Sequence, residues 1–241
     1  MNWSFPAHVV VVSPHLDDAV FSLAASILQA VRSGTRVEVL TVFACDPASN
    51  HPANGWDARA GFATEGEAAT ARRVEDQEAC DIVGAEPRWL PFRGGGYTPH
   101  KDRNAIWTAI ADAVTDADAV LVPGFPLTNP DHAWLADLLT EQRSEFRGMG
   151  LYAEQPYRYF ARRATQRLEV PAQLGRTLSG AVEWTKTPSG IGDRRLKRKA
   201  ILAYASQIPL LGFVTRHHLK LDLMLLHEAL HRGEALAWLM L

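Results

Sequence analysis

Apolar and polar residues follow two different periods along this chain, and the period changes at regular intervals. Residues 8–13, HVVVVS, form an unbroken β-branched run, which is typical of a strand buried on both faces. Residues 19–34 carry apolar positions at helical spacing and end at Gly34, so they predict a helix. Residues 36–44, RVEVLTVFA, return to a strand pattern. Together the three segments predict a βαβ unit.

The alternation of strands and helices continues to about residue 155. Further helices are predicted at 65–84, 102–117 and 131–146, and further strands at 88–92, 119–125 and 150–155. Because parallel strands are joined by crossover helices, this order predicts an α/β fold of three layers, with a mostly parallel sheet and helices on both faces. Beyond Pro156 the pattern is weaker and predicts helices near 193–206 and 219–238.

Composition and charge narrow the possible functions. The chain has 241 residues, is 47% hydrophobic and contains no low-complexity linker, so we expect one domain over residues 1–241. A formal net charge of -2 gives no general affinity for nucleic acid or anionic membranes. No run reaches the roughly 18 uncharged apolar residues of a membrane span, and no secretory signal opens the chain. With only two cysteines, we expect a cytoplasmic protein; its oligomeric state is not predicted.

Three ligand-type side chains follow the first predicted strand. His15 comes directly after it, and Asp17 and Asp18 open the next helix. Ligands of open parallel sheets bind beyond the carboxyl ends of the strands, and the spacing at this turn lets one imidazole and one carboxylate converge on one ion. The other carboxylate can then face water. Alternatively, the two aspartates cap the helix and His15 is an ordinary turn residue.

A second loop offers the same chemistry. Asp131 and His132 stand at the start of a predicted helix, just past the strand predicted at 119–125. One histidine and one aspartate from the first loop, together with His132, make a set of two nitrogens and one carboxylate with an open fourth position. That arrangement is expected of catalytic zinc, and Fe²⁺ accepts the same ligands. The two loops together therefore predict a metal site.

The chain resembles the PIG-L/LmbE-like zinc N-deacetylases in five segments, which occur in the order seen in that family. They are PHLDDA, RRVEDQEACDIVG, NPDH, LYAEQPY and KAILAYASQ. The resemblance implies a Rossmann-like fold that holds one zinc and removes acetyl groups from N-acetylglucosamine-type sugars. The segments SPHLDDAV and TNPDH are most similar to those of the branch that acts on amino-sugar or glycopeptide natural products. The implied partner is a small N-acetylated sugar conjugate.

Matched residue by residue, the resemblance implies a role for each site residue. The metal ligands are His15, Asp18 and His132, the general base is Asp17, and Arg72 contacts the sugar. The implied reaction is amide hydrolysis, in which zinc polarises the acetyl carbonyl and acidifies its water. Asp17 takes the proton from that water and then passes it to the departing amine.

Four further residues are candidates for the site. Where the family commonly carries a histidine, this chain has Asn129, which we expect to donate a fixed hydrogen bond to the oxyanion; alternatively it only shapes the turn before the next proline. Asp131 either orients a ligand imidazole or caps its helix. Tyr97 and Tyr157 lie in predicted loops, where their rings could stack on a sugar.

Two other functions compete with deacetylation. Residues 227–231, HEALH, match the HExxH signature of zinc peptidases. The signature residues are His227, Glu228 and His231. Only ten residues follow His231, however, and their single carboxylate, Glu234, lies too close along the chain to complete the usual third ligand. The other alternative is a catalytically inactive carbohydrate-binding relative. Such a protein would have no reason to keep Asp17 beside a complete ligand set.

Overall fold

A computed structural model describes residues 6–160, 182–213, 218–231 and 233–239 of the chain. The strands in these ranges are β1 His8–Ser13, β2 Arg36–Thr41, β3 Glu86–Trp89, β4 Ala119–Phe125, β5 Met149–Ala153, β6 Thr185–Thr187 and β7 Glu234–Leu239. The helices are α1 Asp18–Arg32, α2 Gly55–Arg59, α3 Glu65–Val83, α4 Arg103–Ala113, α5 Pro130–Glu141, α6 Tyr157–Phe160, α7 Ile191–Ala203 and α8 Leu219–Leu230. No helix within the described ranges is both long enough and apolar enough to cross a membrane.

The strands form one mixed sheet in the order β3-β2-β1-β4-β5-β7-β6. The first five positions are parallel, and β1 lies between β2 and β4 with Val10 opposite Glu38 on one side and Val120 on the other. Strands β7 and β6 continue the sheet in antiparallel pairing. The sheet is therefore mostly parallel, which confirms the predicted fold class.

The valine run of β1 is buried on both faces, as its sequence predicts. Val9 and Val11 belong to a hydrophobic cluster formed with α1, α3, α7 and α8. Val10 and Val12 belong to a second cluster, formed with α4 and α5. Because successive side chains of a strand point to opposite faces, a run of four apolar residues fills both layers at once.

Part of the predicted last helix is wrong. The helix predicted over 219–238 ends at Leu230, and Glu234–Leu239 forms strand β7 instead. Gly233 separates the two with a φ of +93°, a backbone conformation that side chains disfavour. A Cβ there would lie 1.9 Å from the carbonyl oxygen of Thr187. Pairing of β7 with β5 outweighs the helical pattern of this segment, which shows that tertiary contacts override local preference.

The buried carboxylate of Asp76 links α3 to the end of β3 and to the residue that follows α7. Asp76 accepts hydrogen bonds from Trp89 Nε1 at 2.8 Å and from the Tyr204 hydroxyl at 2.7 Å. Burial raises the pKa of Asp76 to about 6, although both hydrogen bonds oppose the rise. One residue earlier, Glu75 accepts from the backbone and hydroxyl of Ser206. These contacts fix the segment after α7 against α3, where both border the cavity described below.

Candidate metal centre and substrate cavity

Three neighbouring strands deliver the polar residues of the site. His15 follows β1, His132 lies in the first turn of α5 after β4, and Glu154 follows β5. The order β1-β4-β5 makes these strands adjacent and parallel, so their carboxyl ends meet at one edge of the sheet. That edge is where ligands of open α/β sheets bind.

His15, Asp18 and His132 converge as the sequence predicted. Asp18 Oδ2 lies 3.3 Å from His15 Nδ1 and 3.1 Å from His132 Nε2, and the two ring nitrogens are 3.1 Å apart. Asp18 and His132 are buried, while the side chain of His15 is 31% exposed. Within the described part of the chain, these residues form the one group of three or more ligand-type side chains that could hold a metal ion.

The outer nitrogens of both imidazoles contact carboxylates. His15 Nε2 lies 3.0 Å from Asp131 Oδ2, and His132 Nδ1 makes a short contact with Glu154 Oε1. Because a carboxylate accepts hydrogen bonds, it favours the tautomer whose proton is on that outer nitrogen. The lone pairs of His15 Nδ1 and His132 Nε2 then face each other and the Asp18 carboxylate. A cation between them satisfies all three, so the residues fit a divalent metal with nitrogen and oxygen ligands.

The electrostatics of the three residues agree with a cation site. Burial alone would lower the pKa of His132, but Asp18 and Glu154 outweigh it and raise that pKa well above its usual value. Burial likewise lowers the pKa of His15, whereas its bonds to Asp131 and Asp18 raise it, and the net shift is upward. For Asp18, burial raises the pKa, but the two imidazoles bring it below its ordinary value. Protons therefore compete with a metal for this cluster.

Asp17 directly precedes Asp18 at the start of α1 but does not cap that helix. It precedes α1, yet its side chain makes no capping hydrogen bond, so the capping interpretation of this residue is wrong. Its φ of +133° is strained for an aspartate, and such outliers persist where the surrounding structure holds them, often at active sites. Burial and the neighbouring Asp18 charge raise the pKa of Asp17 well above its usual range, which favours proton uptake.

Asp131 orients His15, and the alternative that it caps α5 is wrong. The cap is Asn129, whose Oδ1 accepts from the backbone N–H of Asp131 at 2.9 Å. The Asp131 carboxylate faces His15 and also accepts from the Gly95 backbone at 2.9 and 3.0 Å and from Lys101 Nζ at 2.8 Å. Burial would raise the pKa of Asp131, but these donors lower it. Asp131 thus contacts His15 and leaves the capping of α5 to Asn129.

Gly94 and Gly95 allow the backbone to approach Asp131. A Cβ on Gly94 would lie 2.6 Å from Asp131 Oδ2 and 3.2 Å from His15 Nε2, whereas a Cβ on Gly55 would meet nothing within 4 Å. We therefore expect Gly94→Ala to displace the Asp131–His15 pair and to lower metal affinity by roughly 10- to 100-fold, the usual scale for losing such a supporting contact. Metal titration of both variants checks this: unchanged affinity in Gly94→Ala, or equal loss in Gly55→Ala, contradicts it.

A cavity of about 490 Å³ opens beside the candidate metal centre. Its lining includes the predicted residues His15, Asp17, Asp18, Arg72, Tyr97, Asn129, Asp131 and Tyr157. His132 does not line the cavity; it is fully buried behind the others. The structure therefore brings all nine predicted site residues into or directly behind one cavity.

The three predicted substrate residues occupy different positions in the cavity. Arg72 Nη1 lies 2.5 Å from Asp57 Oδ1, and the Tyr97 hydroxyl donates to Asp57 Oδ2 in a short contact. The Tyr157 hydroxyl accepts from Asn129 Nδ2 at 3.3 Å, and its ring packs edge-on against His132 with centroids 5.1 Å apart. Tyr157 is thus next to the metal centre, whereas Arg72 and Tyr97 meet at Asp57.

The HEALH segment is built differently from a metallopeptidase site. His231 lies outside α8, at its C-cap, and the His227 and His231 rings contact each other with centroids 4.4 Å apart. Glu228 is buried and accepts from Lys197 Nζ, 3.0 Å from each carboxylate oxygen. Lys197 also donates to Glu234 at 2.7 Å. The motif glutamate is thus held in a buried ion-pair network by Lys197.

Three contacts of the site escaped the sequence interpretation. Glu154, which orients His132, carries the same signal as the other ligands, since it is a carboxylate directly after a strand of the same sheet edge. Lys101 lies between the rings of Phe43 and Trp134, 5.6 and 5.5 Å from their centroids, and no motif marks it. Asp57 lies in the short helix α2, which the apolar pattern did not predict.

Comparison with solved structures finds the same fold in two deacetylases and in a hydratase. The A40926 pseudoaglycone deacetylase Dbv21 is 26% identical with a TM-score of 0.75, and the alignment covers 96% of both chains. The zinc-inhibited form of the teicoplanin deacetylase Orf2 is 23% identical with a TM-score of 0.77, over 96% of this chain and 97% of that one. GalB, the 4-carboxy-2-hydroxymuconate hydratase of Pseudomonas putida KT2440, is 18% identical with a TM-score of 0.61, over 98% and 97%.

The sequence was also compared with curated proteins and with protein families. No curated protein gives a significant match. The model of the PIG-L family, described as GlcNAc-PI de-N-acetylase, matches residues 10–142, which is more than half of the chain and contains the two loops that build the candidate metal centre. The chain therefore belongs to the PIG-L family of de-N-acetylases.

Proposed function

We propose that this protein is a metal-dependent N-deacetylase that hydrolyses the N-acetyl, or a related N-acyl, group of an N-acetylglucosamine-type sugar conjugate. The observation that carries the proposal is the cluster of His15, Asp18 and His132 with Asp17 beside it, in the cavity of a PIG-L family chain. The likeness to the A40926 pseudoaglycone deacetylase supports a glycopeptide-type conjugate as substrate. We expect the reaction to take place in the cytoplasm.

The ligand set supports zinc as the metal. Two imidazole nitrogens and one carboxylate with an open position are typical of catalytic Zn²⁺, and Fe²⁺ is the alternative for the same set. A divalent cation bound there supplies Lewis acidity, which polarises an amide carbonyl and makes water more acidic. Glu154 and Asp131 hold the two imidazoles in the tautomers that present their lone pairs to the cation.

Different residues of the chain carry out the proton transfers and the binding of the sugar. Asp17, with its raised pKa, takes a proton from the attacking water and returns it to the leaving amine, which would otherwise be too basic to depart. Arg72 and Tyr97 bind the sugar on one side of the cavity, and Tyr157 closes it next to His132. These assignments require that the acetamide lies between Asp17 and the metal centre.

Asn129 is the proposed donor to the oxyanion. Its Oδ1 caps α5 and its Nδ2 donates to Tyr157, so the amide is held in one orientation at the cavity wall. We expect Asn129→Ala to lower turnover by roughly 10²- to 10³-fold, the scale for losing one such donor. Asn129→Asp keeps the cap but offers no donor and repels the oxyanion, so it should be at least as damaging.

Steady-state kinetics on folded, metal-loaded variants separate this role from the capping role. If Asn129 only caps α5, Asn129→Asp retains parental turnover, because aspartate is an equally good cap. Equal turnover of the parent and Asn129→Asp would therefore remove Asn129 from the chemistry.

Metal analysis followed by an amine-release assay tests the whole proposal. The purified protein should contain about one Zn²⁺ or Fe²⁺ per chain, and the metal-loaded protein should release a primary amine and acetate from N-acetylglucosamine conjugates. Binding of the sugar without amine release would favour the inactive carbohydrate-binding alternative. Peptide cleavage without amine release from the sugar would favour the peptidase alternative.

A further inference from the structure

A lysine lies directly behind the candidate metal centre. Lys101 Nζ is 2.8 Å from Asp131 Oδ1, while the other oxygen of that carboxylate, Oδ2, is 3.0 Å from His15 Nε2. His15 is one of the three converging ligand-type side chains. An unbroken row of contacts therefore joins the ammonium group of Lys101, through Asp131, to an imidazole of the metal centre.

The surroundings of Lys101 keep its charge largely out of water. Its side chain is 10% exposed, and Nζ lies 5.6 Å from the ring centroid of Phe43 and 5.5 Å from that of Trp134. Aromatic rings attract an ammonium group at this distance and hold it in place. Because salt and water screen a partly buried pair less than a surface pair, the lysine acts strongly on the charge of Asp131.

Lys101 is not part of the wall that faces the substrate. Phe43 and Asp131, which both contact it, line the cavity beside the metal centre, whereas Lys101 borders a separate depression together with Asp102 and Ile106. The lysine therefore reaches the reaction through Asp131 and not through the sugar.

The orientation of Asp131 does not depend on the lysine. The backbone N–H of Gly95 donates to both carboxylate oxygens, at 3.0 and 2.9 Å, and Asn129 Oδ1 fixes the Asp131 backbone at 2.9 Å. These contacts come from the loop before α4 and from the cap of α5, so they remain when Lys101 is replaced. The distinct contribution of Lys101 is its positive charge.

A positive charge on Asp131 affects the metal centre through His15. A carboxylate behind a ligand imidazole raises the basicity of that imidazole. A lysine on the carboxylate opposes this effect, because it stabilises the negative charge where it is. An imidazole that donates less electron density holds a cation less tightly and leaves it a stronger Lewis acid for polarising an amide.

Resting on the proposed deacetylase function, we propose that Lys101 is a positioning residue of the metal centre: by neutralising Asp131 it limits electron donation from His15. The centre then exchanges some metal affinity for Lewis acidity. Lys101 would thus favour turnover at the expense of tight metal binding, although it contacts neither the metal ligands nor the sugar.

The test measures Zn²⁺ affinity and amine release on the same set of variants. Zn²⁺ is titrated into metal-stripped protein in competition with a chromophoric chelator, at one pH and one salt concentration. Lys101→Met keeps the length of the side chain between the two rings and removes the charge, whereas Lys101→Arg keeps the charge. Arg103→Met is the matched control, because Arg103 lies 5.9 Å from the Trp134 ring centroid but pairs with Glu141. Asp131→Asn, alone and with Lys101→Met, completes a double-mutant cycle.

We expect Lys101→Met to bind Zn²⁺ roughly 10-fold more tightly than the parent and, when loaded, to have a roughly 10-fold lower kcat, the scale on which groups behind a ligand act. KM for methyl N-acetylglucosaminide should stay within about 2-fold, since no sugar contact is lost. Lys101→Arg and Arg103→Met should bind Zn²⁺ within about 2-fold of the parent. In the Asp131→Asn background, Lys101→Met should change the Zn²⁺ affinity by less than about 2-fold, because no carboxylate remains to be neutralised.

Several results would overturn the assignment of Lys101. These are unchanged or weaker Zn²⁺ binding in Lys101→Met, equal tightening in Lys101→Arg or Arg103→Met, and a shift of full size in the Asp131→Asn background. A raised KM at unchanged kcat would place the lysine at the sugar and would also overturn it.

Failure of the proposed function is a separate outcome. A protein that shows the expected shifts in Zn²⁺ affinity but releases no amine would overturn the deacetylase proposal and leave the role of Lys101 at the metal centre. A parent protein that binds no Zn²⁺ would overturn both.

Discussion

Replacing His15 or His132 by alanine is expected to empty the metal centre and abolish turnover. Each imidazole presents a lone pair to the point that Asp18 also faces, so either change removes one of three ligands. The loss of affinity should exceed the roughly 10- to 100-fold that removal of a supporting contact costs. Metal content after dialysis, together with amine release, measures both effects. His227→Ala is the matched control from the HEALH segment and should retain metal and activity.

The opposite result would show that the metal binds at another site. Full metal occupancy in His15→Ala together with loss of metal in His227→Ala would assign the ion to HEALH, despite the ion pairs that hold Glu228 on Lys197. Because neighbouring carboxylates raise the pKa values of His15 and His132, metal affinity should also rise with pH as the competing protons leave the imidazoles. Metal titration at several pH values provides this second measurement.

Changing Asp17 to asparagine is expected to leave the metal bound and to lower turnover by roughly 10²-fold or more, the usual contribution of a general base. The metal should stay because Asp17 is not one of the three converging side chains. The shape of the residue is kept, so the loss reports its proton chemistry. Unchanged turnover with metal still bound would remove Asp17 from the reaction.

The strained backbone of Asp17 gives a second signature of its role. Glycine adopts the φ of +133° without the steric penalty that a side chain incurs. We therefore expect Asp17→Gly to increase the free energy of unfolding by about 1 kcal/mol, the scale of such backbone strain, while turnover is lost. Chemical denaturation of the parent and the variant measures it. A destabilised Asp17→Gly protein would show that the aspartate side chain stabilises this turn.

The fold alone does not determine the reaction. GalB has the same fold by structural comparison, at 18% identity, and its name describes a hydratase. Function on a shared fold depends on the side chains at the site. In this chain the decisive side chains are those of the two loops that contain His15 and His132, which lie inside the segment that matches the PIG-L family.

The sequence predicted the alternation of strands and helices, and it predicted that His15, Asp18 and His132 lie close together, because both depend on local patterns. The run of valines in β1 predicts a strand that is buried on both faces, and the apolar spacing after it predicts helix α1. The positions of His15, Asp18 and His132 could be predicted since residues just after parallel strands gather at one edge of a sheet, whatever the details of packing. The short strand β6 and helix α2 were not predicted, because three to five residues carry too little periodicity.

Only the tertiary structure decided which side chains contact the site residues. Glu154 meets His132 across 22 positions of sequence, Tyr97 meets Asp57 across 40, and Asp131 meets His15 across 116. Such pairs depend on strand register, loop paths and ångström-scale distances, which no local period encodes. The same holds for β7, where pairing with β5 replaced the predicted helix. Sequence therefore determined the fold class and the candidate chemistry of this protein, whereas three-dimensional packing decided which carboxylates contact its imidazoles, because those contacts join segments that are distant in sequence.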